Sequence, residues 1–187
     1  MTGTTRTMYD SVTPAAIPVD AEMVAGYVNG HYEWRPQDWD RFPKAVKVHI
    51  TIMAVNEAGV LDIETGDASP QQAPGWVKAR QQSGLKRPTL YVNRSNAETV
   101  IAECTKAGLK PGEHYWLWLA TLDGTKTTTL PGVVAIQDKG AAMLGFNADS
   151  SVVFDPTWHP TPLTNRQRLD KIAGLSAEIN QLAKGAS

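Results

Sequence analysis

Only one cysteine, Cys104, stands among the 187 residues, so an internal disulfide is excluded. Its place in a helical pattern suits packing rather than nucleophilic chemistry. Histidine is scarce as well: His31, His49, His114 and His159 are all there are, and no two share the spacing of zinc ligands on one helix. No run of eighteen apolar residues occurs, so no membrane span is expected. Neither sign of charge dominates, with 18 Lys and Arg against 19 Asp and Glu and a net charge of −1. The concentrated basic face of a nucleic-acid binder is missing, and no nucleic-acid partner is expected. The opening Met1-Thr2-Gly3-Thr4-Thr5-Arg6 lacks the apolar stretch of a secretory leader. The expectation is cytoplasmic synthesis, followed by use in the cell, in a virion or at the cell wall.

What is present is an ordinary globular composition, 42% apolar and 20% charged, long enough for one domain with a proper core. Hydrophobic patterning predicts strands over residues 5–12, 23–29, 45–53, 60–64, 88–93, 114–121, 132–137 and 151–155. A short helical turn is expected over 34–39 and a helix over 69–82. A second helix is expected over 97–107, capped by Asn96 and stopped by Gly108. Alternating strands and helices imply a mainly parallel α/β sheet, and eight strands suggest a barrel. A complete (β/α)₈ barrel takes about 250 residues, so an irregular, helix-depleted, TIM-like (β/α) barrel is expected over residues 1–161. The connection over 54–59 is too short for a helical crossover. Either the chain returns in extended form, which is favoured, or the third and fourth strands make a hairpin.

Residues 162–187 differ in kind. Ile172, Leu175, Ile179 and Leu182 recur at three- and four-residue steps, predicting a C-terminal amphipathic helix. It would pack on the barrel, or meet a protein partner or a second copy of the chain.

Strand alternation sends Asp62 and Glu64 to one face, about 6–7 Å apart along the strand, at its C-terminal end. Asp10 occupies the same end of the first strand. Neighbouring carboxylates resist ionising together, so one keeps its proton beside an ionised partner, the pairing that glycoside hydrolysis uses. Other strands place polar residues near this level: Asn29, Tyr91, Asn93 and Gln137, with Asp155 ending the last strand. Trp116 and Trp118 share a strand face, while Trp34, Trp39 and Trp158 fall near strand ends or loops. Exposed members would stack on sugar rings, and at least half are expected in the core.

The segments Tyr9-Asp10-Ser11, Val24-Ala25-Gly26-Tyr27-Val28, Leu61-Asp62-Ile63-Glu64, Leu90-Tyr91-Val92, Trp116-Leu117-Trp118-Leu119-Ala120 and Ala135-Ile136-Gln137 resemble, in order, landmarks of the Chalaropsis-type (family 25-like) lysozymes. The likeness covers roughly residues 5–160 and is greatest to short lysozyme-like proteins of actinobacteria and their phages. It implies a glycoside hydrolase-like barrel that cleaves the glycan of peptidoglycan without a cofactor. It also implies that Glu64 protonates the departing sugar oxygen. Asp62 would steady the reacting centre, orient an acetamido group or position water, and Asp10 would hold the network. Tyr91, Trp118 and Gln137 would line the cleft, with Asn29, Asn93 and Asp155 as further binding residues. The chain departs from the family in its short Asp10-to-Asp62 spacing and in Asp138, where an aromatic residue is usual. The acidic position of the terminal strand falls to Asp149 or Asp155.

Two functions follow as expectations: a peptidoglycan-directed muramidase-like enzyme, or a catalytically silent barrel serving as a virion or wall-binding component. A divalent cation held by Asp10, Asp62, Glu64 and Asp67 is a third reading from ligand chemistry. The resemblance implies no metal.

Overall fold

The computed structural model describes residues 4–160; the helix expected over 162–187 lies outside them. The strands are β1 (Arg6–Asp10), β2 (Met23–Tyr27), β3 (Val46–Thr51), β4 (Val60–Ile63), β5 (Thr89–Asn93), β6 (Trp116–Ala120), β7 (Val133–Lys139) and β8 (Asp149–Val153). They close into a barrel in chain order, β1 pairing with β8. Neighbours from β1 to β7 are parallel, whereas β8 is antiparallel to both β7 and β1. The C-terminal ends of β1 to β7 and the start of β8 therefore form one mouth.

Side-chain alternation divides the apolar residues into an inner and an outer set. Met8, Met23, Ala25, Val48, Ile50, Val60, Trp118, Ala135 and Val153 fill the interior. Leu61, Ile63, Leu90, Val92, Leu117, Leu119 and Ile136 face outward beneath α2 (Ala73–Gln82) and α3 (Arg94–Lys106). A third cluster, with Val24, Trp34 and Phe42, covers the outside of β2 through loops and α1 (Pro36–Asp40). Cys104 is buried in α3, in line with a packing role.

The β3–β4 pair is parallel, so the strands do not make a hairpin; the return has no helix and passes through a turn in which Asn56 N donates to Met53 O at 3.0 Å. Eight connecting residues suffice because the strands are staggered: Val60, the first residue of β4, pairs with Ile50 near the end of β3. This loop is held by α2, through a hydrogen bond from Trp76 Nε1 to Asn56 O at 3.1 Å and an Arg80–Glu57 ion pair at 3.1 Å.

Several boundaries differ from the sequence expectation by one or more residues, among them these. The helix expected over 69–82 begins as a 3₁₀ turn, Pro70–Gln72, before α2. Helix α3 starts at Arg94, because Asn93 rather than Asn96 is its cap: Asn93 Oδ1 accepts from Asn96 N at 3.0 Å. Strand β8 starts two residues before the expected 151 and ends two before 155.

At the end opposite the mouth the barrel is stoppered. Trp158 is buried there, its Nε1 donating to Thr89 Oγ1 at 3.1 Å, and its carbonyl accepts from Arg6 Nη2 at 2.8 Å. Gly59 lies so close to Pro160 that a Cβ at that position would stand 1.6 Å from the Pro160 carbonyl oxygen.

Candidate functional site

Interior parity brings a polar layer to the mouth. The last inward residues of their strands are Asp10 on β1, Tyr27 on β2, Asp62 on β4 and Gln137 on β7, while Tyr91 and then Asn93 follow on β5. Glu64 lies one residue past β4, two beyond Asp62 and on the same side. Asp149 opens β8 and is the cross-strand partner of Asp10. Asp10, Asp62, Glu64, Tyr91, Asn93 and Gln137, singled out in the sequence, are thus assembled at one end.

Hydrogen bonds order this layer into two sets. In the first, Tyr91 OH donates to Gln137 Oε1 at 2.5 Å. The Gln137 amide nitrogen donates to Asp10, at 3.1 Å to Oδ1 and 2.9 Å to Oδ2, and to Asp149 Oδ2 at 3.1 Å. Asp149 Oδ1 also accepts from the backbone N–H of Ala141 at 2.8 Å, at the start of the short α4 (Ala141–Leu144). In the second, Tyr27 OH donates to Asp62 Oδ2 at 2.9 Å, and Asn93 Nδ2 reaches Glu64 Oε1 at 3.5 Å. Asp62 Oδ1 is buried without a hydrogen-bond partner.

Electrostatics follow from crowding four carboxyls into this layer. Burial, then the Asp149 charge, pushes Asp10 up to about 8, against a lowering by the Gln137 amide. Asp62 is likewise pushed up to about 8, by burial first and then by Glu64, with the Tyr27 hydroxyl pulling the other way. Glu64 is raised by burial, partly offset by Asn93, and Asp149 is raised by burial, partly offset by the Ala141 N–H. Two acids at this mouth keep their protons at neutral pH.

An open cleft lies over the layer in two lobes. One, of about 230 Å³, has a polar floor of Asp10, Glu64, Tyr91, Gln137 and Asp149 and apolar flanks of Val12, Leu122 and Ala148. The other, of about 320 Å³, is lined by Asn29, His31, Tyr32, Ile52 and Asp67. Val12, Tyr27 and Glu64 border both lobes, so Glu64 stands at their junction. Small-molecule sites commonly span about 300–1,000 Å³, a size the two lobes reach together.

Two expected binding residues lie elsewhere. Trp118 is wholly buried under Tyr91, with ring centroids 4.8 Å apart, and donates to Ser151 Oγ at 2.9 Å. It sits one layer too deep, because the mouth-level inward residue of β6 is Ala120, two positions on. Asp155 is at the stoppered end, since β8 runs antiparallel; its carboxylate accepts from Thr157 N and Oγ1 at 2.8 and 2.6 Å. Asp149 takes the place at the mouth. Asn29 lies in the second lobe, where its Oδ1 accepts from Ile52 N at 3.2 Å. Of the tryptophans, Trp34, Trp76, Trp118 and Trp158 are buried.

Sequence reasoning left Tyr27, Tyr32 and Leu122 out of the site. Parity along Met23, Ala25 and Tyr27 would have placed the first at the mouth; nothing in the sequence marks the other two. Among the described residues no group of three His, Cys, Asp or Glu side chains is arranged to hold a metal ion.

No family model and no curated protein matches the sequence. Among solved structures, the chain is similar to the Tat-secreted protein Rv2525c of Mycobacterium tuberculosis, determined in complex with L-tartrate. The identity is 10% and the TM-score 0.46, over 82% of this chain and 98% of that one.

Proposed function

We propose that this chain is a glycoside hydrolase of the muramidase kind, directed at peptidoglycan and built on a helix-depleted, TIM-like (β/α) barrel. The observation that carries the reading is the Asp62–Glu64 pair. Asp62 is enclosed, protonated at neutral pH and tied to Tyr27, while the half-buried Glu64 with its raised pKa stands where the two lobes meet. A glycan laid across both lobes presents its linking oxygen to Glu64. Glu64 gives that oxygen its proton as the bond to the sugar carbon breaks, and water completes the hydrolysis. Asp62, neutral and one layer below, orients the sugar's acetamido group by hydrogen bonding. Asp10 and Gln137 fix the neighbouring floor.

Purified actinobacterial cell walls provide the test. The wild type is expected to release muropeptides with new reducing ends, and Glu64→Gln to lose this by about 10²–10⁴-fold while remaining folded. Equal release by both proteins would remove Glu64 from the chemistry.

One observation favours a second reading, a catalytically silent barrel serving as a virion structural or wall- or host-binding component. Tyr91, Gln137, Asp10 and Asp149 are engaged with one another, as in a structural polar core. Absence of release by a folded wild type would select this reading.

A further inference from the structure

Leu122 lies in the connection from β6 to β7 and is the only non-glycine residue with positive φ among those described, at 57°. Left-handed backbone is disfavoured for a leucine and persists where surrounding contacts enforce it. Here they do. Thr121 N and Leu122 N both donate to the carbonyl of Gln137, at 2.9 and 3.1 Å, and Gly124 N donates to Asp138 O at 2.7 Å. Thr121 Oγ1 reaches Thr125 O at 3.1 Å, and the Arg94–Asp123 ion pair at 2.7 Å ties the turn to α3.

What the turn displays is unusual for its cost. The Leu122 side chain is not taken into the core; the residue is 47% exposed and flanks the Asp10 lobe. A Cβ placed on Gly140 would meet Leu122 Cδ2 and Asp149 Oδ1 at 3.7 Å each, so the leucine stands on the flank where Asp149 emerges. Val12, 46% exposed, is another apolar flank of the lobe, above a floor of carboxyls and amide. A sugar ring has the matching character, with a hydrocarbon face and a polar edge.

We propose that Leu122 is a substrate-binding residue, held in a strained turn so that its side chain receives the hydrocarbon face of a sugar and turns the polar edge toward Asp10, Gln137 and Asp149. The inference rests on the glycan reading of this cleft but not on turnover.

The test uses Leu122→Gly, which suits positive φ and deletes the side chain, and Leu122→Met, which keeps an apolar flank. Thermal unfolding checks that each folds; Leu122→Asn, also tolerant of this backbone, replaces the glycine variant if it does not. The probe is soluble peptidoglycan glycan strands stripped of peptide, with Kd measured by calorimetry in a Glu64→Gln background and KM and kcat measured with Glu64 intact. Leu122→Gly is expected to raise Kd and KM about tenfold with kcat little changed, and Leu122→Met to restore both. A Kd within about twofold of the parent would overturn the proposal. Weakened binding with no turnover by the wild type would sink the hydrolase reading and leave the role of Leu122 standing. Neither binding nor turnover would sink both.

Discussion

Asp10 and Asp149 face each other across the antiparallel β1–β8 pair, and one amide nitrogen, Gln137 Nε2, lies within 3.1 Å of both carboxylates. Burial first, and then the charge of Asp149 directly opposite, keep Asp10 protonated, with its pKa raised from 3.8 to about 8. Between those values the folded chain holds a proton that the unfolded chain has released, so stability falls as pH rises through the window. Asp62, raised to about 8, acts in the same direction. The thermal midpoint is therefore expected to drop from about pH 5 to about pH 8.5, and Asp10→Asn to flatten part of that slope. A midpoint that climbs across this range would contradict the assignment.

Asp149 is the leading charged contributor to the raised Asp10 pKa. In Asp149→Asn the Asp10 titration, followed by carbon NMR of the carboxyl, should move down toward the ordinary aspartate range. An unchanged titration would mean that burial alone sets it.

The Tyr27 hydroxyl is the hydrogen-bond partner of Asp62 and lowers its pKa against the effect of burial. Tyr27→Phe should shift the Asp62 titration further upward and destabilise the fold by about 0.5–1.5 kcal/mol, the worth of one hydrogen bond. On the hydrolase reading, wall cleavage should fall by about tenfold or more, because the carboxyl beneath Glu64 loses its fixed orientation. Chemical denaturation and reducing-end release separate the two effects.

The stoppered end yields a prediction independent of function. A Cβ at Gly59 would collide with the Pro160 carbonyl oxygen, a backbone atom that cannot swing aside. Gly59→Ala is expected to cost about 1–3 kcal/mol. Fluorescence of the buried Trp158 should report the displaced segment, and a neutral substitution would show that residues around 160 yield freely.

Much of the fold was legible because strand parity and β-branched runs are local properties. The eight strands and the inward Asp10, Asp62, Tyr91 and Gln137 follow from alternation along short segments, while the shortness of the β3–β4 connection left a hairpin open that the parallel pairing excludes. The direction of β8 did not, and the error over Asp155 came with it. Direction depends on how the chain packs after β7, where residues 140–148 turn back through α4 instead of crossing the barrel. Trp118 was misplaced for a related reason: alternation shows that it points inward but not how deep it lies, and depth is set by register against β5 and β7.

By itself the sequence determined which side chains face the interior and that carboxyls would gather at strand ends, since both depend only on the two-residue period of a strand. Closure of the barrel decided the rest. It brought Asp149 opposite Asp10, and it set the Gln137 amide between them. It also enclosed Asp62 against Tyr27 and held Leu122 at the cleft. These pairings join residues far apart in the chain, through distances that only the stagger and curvature of the closed sheet define.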